Sequence, residues 1–290
     1  MKTVLVTGGD GQLATCIKQV VKNVEDKKFV FKNSTELNIT SKAELNSFFA
    51  DNSIDYCVNS AAYTAVDKAE SNSKLAFEIN SIAVKKLAQV CKENQTVLIH
   101  ISTDFVFDGT NNQPYKELDI SNPKSVYGAS KLQGEKEIQL ILKEHFIIRT
   151  SWLYSEFGNN FMKTMLRLSK ERKNLEIVND QIGTPTYAID LANVVLKIIN
   201  EGSKEYGIYH YSNEGSITWY DFAKEIFKQS DIEISLKPIL TKEYPTPVKR
   251  PMYSVLDTTK IKETFQIKIP NWKESLGVAL NNFLKNYICF

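Results

Sequence analysis

Cysteine is scarce in this chain. The four among its 290 residues, Cys16, Cys57, Cys91 and Cys289, form no CxxC pair, which argues against a zinc knuckle or a dithiol redox motif and for small thiols in a reducing compartment. Histidine is scarcer still, with three in all and none at ligand spacing to a cysteine, so no metal site is expected. An excess of one charge is lacking too. Thirty-six Lys and Arg stand against 34 Asp and Glu, a formal net charge of +2, and such a balance gives no global field for nucleic acid or an anionic membrane surface. No apolar run approaches the length of a membrane span, and the run after Met1 is too short for a secretory signal. These absences lead to the expectation of a soluble, cytoplasmic protein with no nucleic-acid or membrane partner, leaving small neutral or anionic ligands open. The 42% of hydrophobic residues can fill one large α/β domain or a major domain with a smaller lobe.

What is present is an alternation of short apolar runs and amphipathic stretches. Val4-Leu5-Val6 is bounded by Thr7-Gly8-Gly9-Asp10-Gly11, after which Leu13, Ile17, Val20, Val21 and Val24 recur at helical spacing, the pattern of strand, glycine turn and helix. Glycines at 8 and 11 let the backbone turn tightly and approach a pyrophosphate, with the first helical amides near Gln12 and Leu13 as the anion site. A glycine turn can also be purely structural, but one that opens a βαβ pattern favours a cofactor. Ala14 stands where a third glycine often packs helix on strand. Residues 29–31, 54–58, 96–101 and 146–149 read as further strands, and residues 77–91 and 127–143 as helices. Over residues 1–150 this predicts a doubly wound parallel sheet covered on both faces. Beyond it the regularity loosens. Helices are expected at 161–168, from 187, at 219–228 and at 272–286, strands at 175–178 and 208–211, and loops at 107–123, 180–186 and 244–251. No linker or charge block marks an independent second domain. Residues 151–290 are therefore read as a smaller α/β lobe packed on the first, with exchange of segments between the two left open.

Ligands of open parallel sheets lie beyond the carboxyl ends of the strands, so the residues that follow each strand are the candidates. Lys32 ends the second strand where NAD-preferring folds place an acid; a lysine there favours the 2′-phosphate of NADP(H), and equally suits a solvated surface position. The small residues Ala61 and Ala62 after the third strand let a flat ligand lie against the backbone, or permit tight helix packing. Ser102-Thr103-Asp104 ends the fourth strand, placing hydroxyls toward the site or in a turn cap. Tyr127 and Lys131, four residues apart, share one helix face. A nearby cation favours phenolate and lowers a tyrosine from its reference of about 10, which would make Tyr127 an acid–base group near neutral pH. The spacing alone also fits an exposed helix face.

Together these segments resemble the extended short-chain dehydrogenase/reductases and, within them, the dTDP-4-dehydrorhamnose reductase family. The likeness runs from Thr7-Gly8-Gly9-Asp10-Gly11-Gln12-Leu13 through residues 59–70 and 102–109, Val126-Tyr127-Gly128-Ala129-Ser130-Lys131, residues 149–154, 158–161, 180–186 and 219–223, to Arg250-Pro251. It implies a Rossmann-like cofactor half and a nucleotide-sugar half. It also implies reduction by NADPH, with NADH as an alternative, of the C4 ketone of a dTDP-4-keto-6-deoxy sugar. By the same resemblance Thr103 bonds that carbonyl, Tyr127 gives it a proton, and Lys131 binds the nicotinamide ribose and tunes Tyr127. Gly8, Gly11, Gln12 and Leu13 would take the pyrophosphate, Asn38 and Ile39 the adenine end, and Ala62, Tyr63 and Thr64 the cofactor along the third strand. Asp104 and Trp152 would contact the sugar nucleotide, and Arg250 its diphosphate or base; Trp152 also suits a core position and Arg250 a surface one.

The chain departs from the family pattern in places. Asn38 stands where the family often has aspartate. Some members form a magnesium-bridged dimer through glutamates, but Cys16 and Ala188-Ile189 occupy the positions where acids would be needed, so no metal is implied and a monomer or homodimer is left open. Two other readings accompany the first. One is a reductase or epimerase of a UDP- or GDP-linked sugar. The other is a non-catalytic regulatory subunit like the β subunit of methionine adenosyltransferase, against which the intact Thr103, Tyr127 and Lys131 weigh.

Overall fold

The computed structural model describes residues 1–288, and Cys289 lies outside them. The chain begins β1 (Lys2–Thr7), α1 (Gln12–Val20), β2 (Lys27–Lys32), α2 (Lys42–Asp51), β3 (Tyr56–Asn59), α3 (Val66–Ser71) and α4 (Ser73–Phe77). A π-helical turn, Glu78–Ile82, leads into α5 (Ala83–Glu93), followed by β4 (Val97–Thr103), α6 (Val126–Ile141), β5 (His145–Thr150), β6 (Leu153–Tyr154) and α7 (Phe161–Glu171). Then come β7 (Asn174–Val178), β8 (Ile182–Gly183), β9 (Thr186–Tyr187), α8 (Ala188–Glu201), β10 (Gly207–His210), β11 (Ile217–Thr218) and α9 (Trp219–Gln229). The last elements are β12 (Ser235–Ile239), α10 (Thr259–Phe265) and α11 (Trp272–Ile288).

Six strands form one parallel sheet in the order β10-β5-β4-β3-β1-β2, with Val4 opposite both Phe29 and Tyr56. The apolar runs of β1, β3 and β5 are buried throughout their length or nearly so, as required of strands with helices on both faces. On one face α1 and α8 pack Leu13, Ile17, Leu191 and Ile198 onto the sheet. On the other, α2, α5 and α6 bring Leu45, Phe49, Leu87 and Ile138. Each such side chain contributes roughly 1.5–3 kcal/mol by leaving water. A third core, with Met162, Leu166, Phe222 and Leu276, joins α7, α9 and α11. Cys16, Cys57 and Cys91 are buried free thiols. Among the described residues no helix is long and apolar enough to cross a membrane.

The structure refines several expectations. The first helix stops at Val20, short of Val24. The helix expected over residues 77–91 is interrupted by the π turn, which buries Asn80. Helices α2, α3 and α10 and strand β12 carried too sparse an apolar pattern to be anticipated; α2, for example, buries only Leu45 and Phe49 and starts where Ser41 Oγ accepts from Glu44 N. The strand expected at 208–211 is β10, which pairs with β5 at the edge of the main sheet. Because β2 and β3 lie on opposite sides of β1, the crevice for a ligand opens at the carboxyl ends of β1 and β3.

Candidate active site

At those ends lies a cleft of about 800 Å³. Gly8 forms its floor with φ +67°, and a Cβ there would sit 2.8 Å from Ala61 N, so only glycine allows the two strand ends to approach. Gly11 N donates to Gly8 O at 2.8 Å and closes the turn. No side chain caps α1, and its first turn holds no acid, which leaves its amides and the positive end of the helix free for an anion. Asn160 Nδ2 donates to Gln12 Oε1 at 2.8 Å, so the segment before α7 is strapped to this turn. A cradle that would not tolerate a Cβ, closed onto uncapped helical amides, fits the pyrophosphate of a dinucleotide.

The adenine side is built from turns. Asn38 Oδ1 accepts from Thr40 N at 3.0 Å and from Thr40 Oγ1 at 2.9 Å; this needs only an acceptor oxygen, which asparagine shares with aspartate. Asn33 Nδ2 donates to Asp10 Oδ2 at 2.7 Å, and Asp10, Asn33 and Ser34 line the cleft. Lys32 is not among the lining residues: its Nζ lies 3.9 Å from Glu36 Oε1 and over the ring of Phe48. Tyr63 is also off the wall. Its N–H and C=O are held at 2.8 and 3.0 Å by the side chain of Asn80, which also donates to Ser130 Oγ at 3.0 Å. That clamp orients the neighbours Ala62 and Thr64, which do line the cleft, as do Leu13, Asn38 and Ile39.

Thr103, Asp104, Tyr127 and Lys131 meet at the centre of the cleft. Thr103 Oγ1 donates to Asp104 Oδ1 at 3.0 Å and accepts from Phe105 N at 3.2 Å. Ser125 caps α6 through Gly128 N, so Tyr127 and Lys131 project from the first turns of that helix. The helix is fixed from behind by Glu135, which bonds Ser102 Oγ and pairs with Arg149 Nη2 at 2.7 Å. Burial pushes Tyr127 up to about 12, with Thr103 opposing and Asp104 reinforcing the shift. Burial thus dominates, contrary to the lowered value expected from the Tyr127–Lys131 spacing, and favours the protonated phenol. Burial brings Lys131 down to about 8 against the pull of Glu135, and its Nζ donates to Ile101 O at 2.7 Å. Burial also raises Asp104, to about 6, against the hydroxyls of Ser254 and Thr103.

The far wall is aromatic. Trp152, at φ +44°, stacks on Trp219 with centroids 3.5 Å apart and planes 10° from parallel. Arg250 sits at the mouth, its Nη2 2.8 Å from Asp67 Oδ2, with both side chains part-exposed. Trp219, Asn159 and Ser151 also line the cleft without having been anticipated. They come from distant segments; each lies in a run that carries the family resemblance, at 149–154, 158–161 and 219–223, but no spacing of residues marks any of them as part of one site. Among the described residues no group of three or more His, Cys, Asp or Glu is placed to hold a metal.

Comparison with known proteins agrees with this geometry. The family model described as the RmlD substrate binding domain matches residues 1–285. A dTDP-4-dehydrorhamnose reductase from Aggregatibacter actinomycetemcomitans is 40% identical over 286 residues, 95% of this chain and 97% of the relative. The crystal structure of such a reductase from Clostridium acetobutylicum superposes with a TM-score of 0.93 at 41% identity, covering 97% of this chain and 99% of the other. That of the Bacillus anthracis reductase in complex with NADP gives a TM-score of 0.94 at 36% identity, covering 97% and 100%. The chain belongs to the RmlD substrate binding domain family, and the three relatives compared above are dTDP-4-dehydrorhamnose reductases.

Proposed function

We infer that this protein is an NADPH-dependent reductase of the C4 ketone of a dTDP-4-keto-6-deoxy sugar, forming dTDP-L-rhamnose from dTDP-4-dehydrorhamnose. The observation that carries this reading is the meeting of Thr103, a protonated Tyr127 and Lys131 in one cleft with a glycine turn shaped for a pyrophosphate. When bound, NADPH supplies the hydride. Gly8, Gly11, Gln12 and Leu13 would hold its pyrophosphate, Asn38 and Ile39 the adenine end, Ala62 and Thr64 its flank, and Lys131 the ribose next to the nicotinamide.

The chain's own residues complete the chemistry. Reduction places negative charge on the carbonyl oxygen. The Thr103 hydroxyl is positioned to bond that oxygen, and Tyr127, neutral at physiological pH, is the acid that delivers a proton to it. The positive charge of Lys131 favours proton loss from Tyr127 at that moment, which its resting environment disfavours. The stacked Trp152 and Trp219 offer a flat apolar wall to the sugar nucleotide. Asp104, on the same cleft wall, would bond its hydroxyls, and Arg250, part-exposed at the mouth, would meet the diphosphate.

Residues 1–150 with α8 and β10 make the cofactor half, and most of the remaining chain makes the substrate half. A reductase that draws on NADPH to make an activated sugar suits the cytoplasm. NADPH oxidation with enzymatically generated dTDP-4-keto-6-deoxy-L-mannose tests the reading. Wild type is expected to turn over, and Tyr127→Phe to lose ~10²–10⁴-fold in kcat. Turnover with a UDP-linked keto sugar instead would reject the substrate assignment. An undiminished Tyr127→Phe would reject the acid.

A further inference from the structure

Behind Lys131 lies an ionisable group to which the roles above give no task. His100 stands in the middle of β4, between β3 and β5, and is wholly buried. Its Nε2 is 3.3 Å from Lys131 Nζ and its Nδ1 is 3.0 Å from Asn59 Nδ2, while Thr7 Oγ1 is 2.7 Å from Asn59 Oδ1. Among the described residues, Ile101 O and this imidazole are the close polar partners of the lysine, and no carboxylate touches its Nζ. A carboxylate in that place would hold Lys131 permanently charged, and an apolar side chain would drive the charge off.

The imidazole allows two self-consistent proton arrangements. With Lys131 as an ammonium, Nε2 accepts from it and Nδ1 carries the ring proton. Asn59 then presents Oδ1 to Nδ1–H and donates from Nδ2 to Thr7, whose hydroxyl accepts as readily as it donates. With Lys131 as an amine, Nε2–H donates to Nζ, Nδ1 accepts from Asn59 Nδ2, and Thr7 donates to Asn59 Oδ1. The arrangements differ by one proton on Lys131, by the ring tautomer and by a half-turn of the Asn59 amide that reverses its bond with Thr7; the ring is neutral in both, and the amide stands in the second orientation in this structure. We propose that His100 is a positioning residue for the reduction, a buried tautomeric partner that accommodates Lys131 in both charge states, with Asn59 and Thr7 following the change.

This rests on the reading of Lys131 as the ribose-binding ammonium that assists Tyr127. The other titratable groups around the pair are Glu135, one turn along α6 and tied to Arg149 and Ser102; Tyr127, one turn back; His145 at the start of β5; and Asp104 beyond the end of β4. Burial keeps His100 well below the ordinary histidine range, reinforced by the charges of Lys131 and His145. The ring therefore stays neutral while Lys131 titrates.

The decisive measurement is the tautomer itself, read in the wild-type holoenzyme labelled with ¹⁵N-histidine by long-range ¹H–¹⁵N correlation between pH 6.5 and 9.5. His100 is expected to pass from the Nδ1–H to the Nε2–H form as Lys131 loses its proton; one unchanged tautomer across the range overturns the proposal. Kinetics give a second readout. In His100→Phe, the basic limb of kcat/KM should move down by about one pH unit, a tenfold loss at pH values above the limb, because the ammonium loses an acceptor. His100→Gln, whose amide oxygen still accepts, should restore most of the limb. A limb in His100→Phe that coincides with wild type overturns the proposal, and if that variant does not fold the wild-type tautomer decides alone. A tautomer switch in a protein that shows no NADPH oxidation with the dTDP sugar would sink the functional reading and leave the assignment of the His100–Lys131 pair standing.

Discussion

Asp104 is held in its place at the expense of stability. Its carboxyl is raised by burial from 3.8 to about 6, so the folded chain binds that proton more tightly than the unfolded one. The contribution to stability is fully present below the unfolded value and is lost as pH rises through about 6. Asp104→Asn keeps the shape without the charge. It is expected to stabilise the protein by on the order of 2–3 kcal/mol at pH 8 and by less at pH 4.5, as read from urea midpoints; equal gains at both pH values would show that no buried charge is involved. Lys32 presents the opposite case, a part-exposed charge near a site whose wall it does not form. Its Nζ rests 3.9 Å from Glu36, and such part-exposed pairs are worth little, so the lysine is free to turn toward a 2′-phosphate. Lys32→Asp is expected to raise the KM for NADPH about two- to fivefold more than that for NADH, and equal effects would remove Lys32 from cofactor choice. At this scale Tyr127 and Lys131 were legible because i and i+4 share a helix face whatever the fold does. The protonation of Tyr127 was not legible, because desolvation depends on what the rest of the chain stacks around it.

Among the elements, the short strand β8 carries a constraint out of proportion to its length. A Cβ on Gly183 would lie 2.6 Å from Trp152 Cε2, and that ring is already pinned by its stack on Trp219, which Phe161 backs with centroids 4.7 Å apart. Gly183→Ala is therefore expected to destabilise by ~1–3 kcal/mol and to raise the KM for the sugar nucleotide more than that for NADPH. Steady-state kinetics with each substrate varied would check it, and a larger effect on NADPH would place the tryptophan pair outside the sugar site. The π-helical turn makes a similar point. The apolar spacing of residues 76–91 reads as one helix, and most of it is helical. The extra residue that widens the turn at Glu78–Ile82 and sends Asn80 to hold Tyr63 leaves no mark in a periodicity of hydrophobic residues, because Asn80 acts by hydrogen bonds to a loop.

The whole molecule is knitted together across the division at residue 150. Strand β10 completes the edge of the sheet beside β5, and α8 covers α1 with Leu191, Val195 and Ile198. A fragment of residues 1–150 would expose that face of α1 and the β5 edge to water. It is expected to show no cooperative thermal transition and no NADPH binding, whereas the full chain should melt as one; a cooperative, cofactor-binding fragment would show that the first half folds alone. The sequence by itself determined the alternation of strands and helices, the glycine turn at Gly8 and Gly11, and the Tyr127–Lys131 face, since each is written in spacings of a few residues and in the steric needs of single glycines. The tertiary structure alone decided that β10 joins the main sheet, that Trp219 stacks on Trp152, and that His100 faces Lys131. These are contacts between residues tens of positions apart, and their energies come from burial and hydrogen bonding that exist only once the chain has packed.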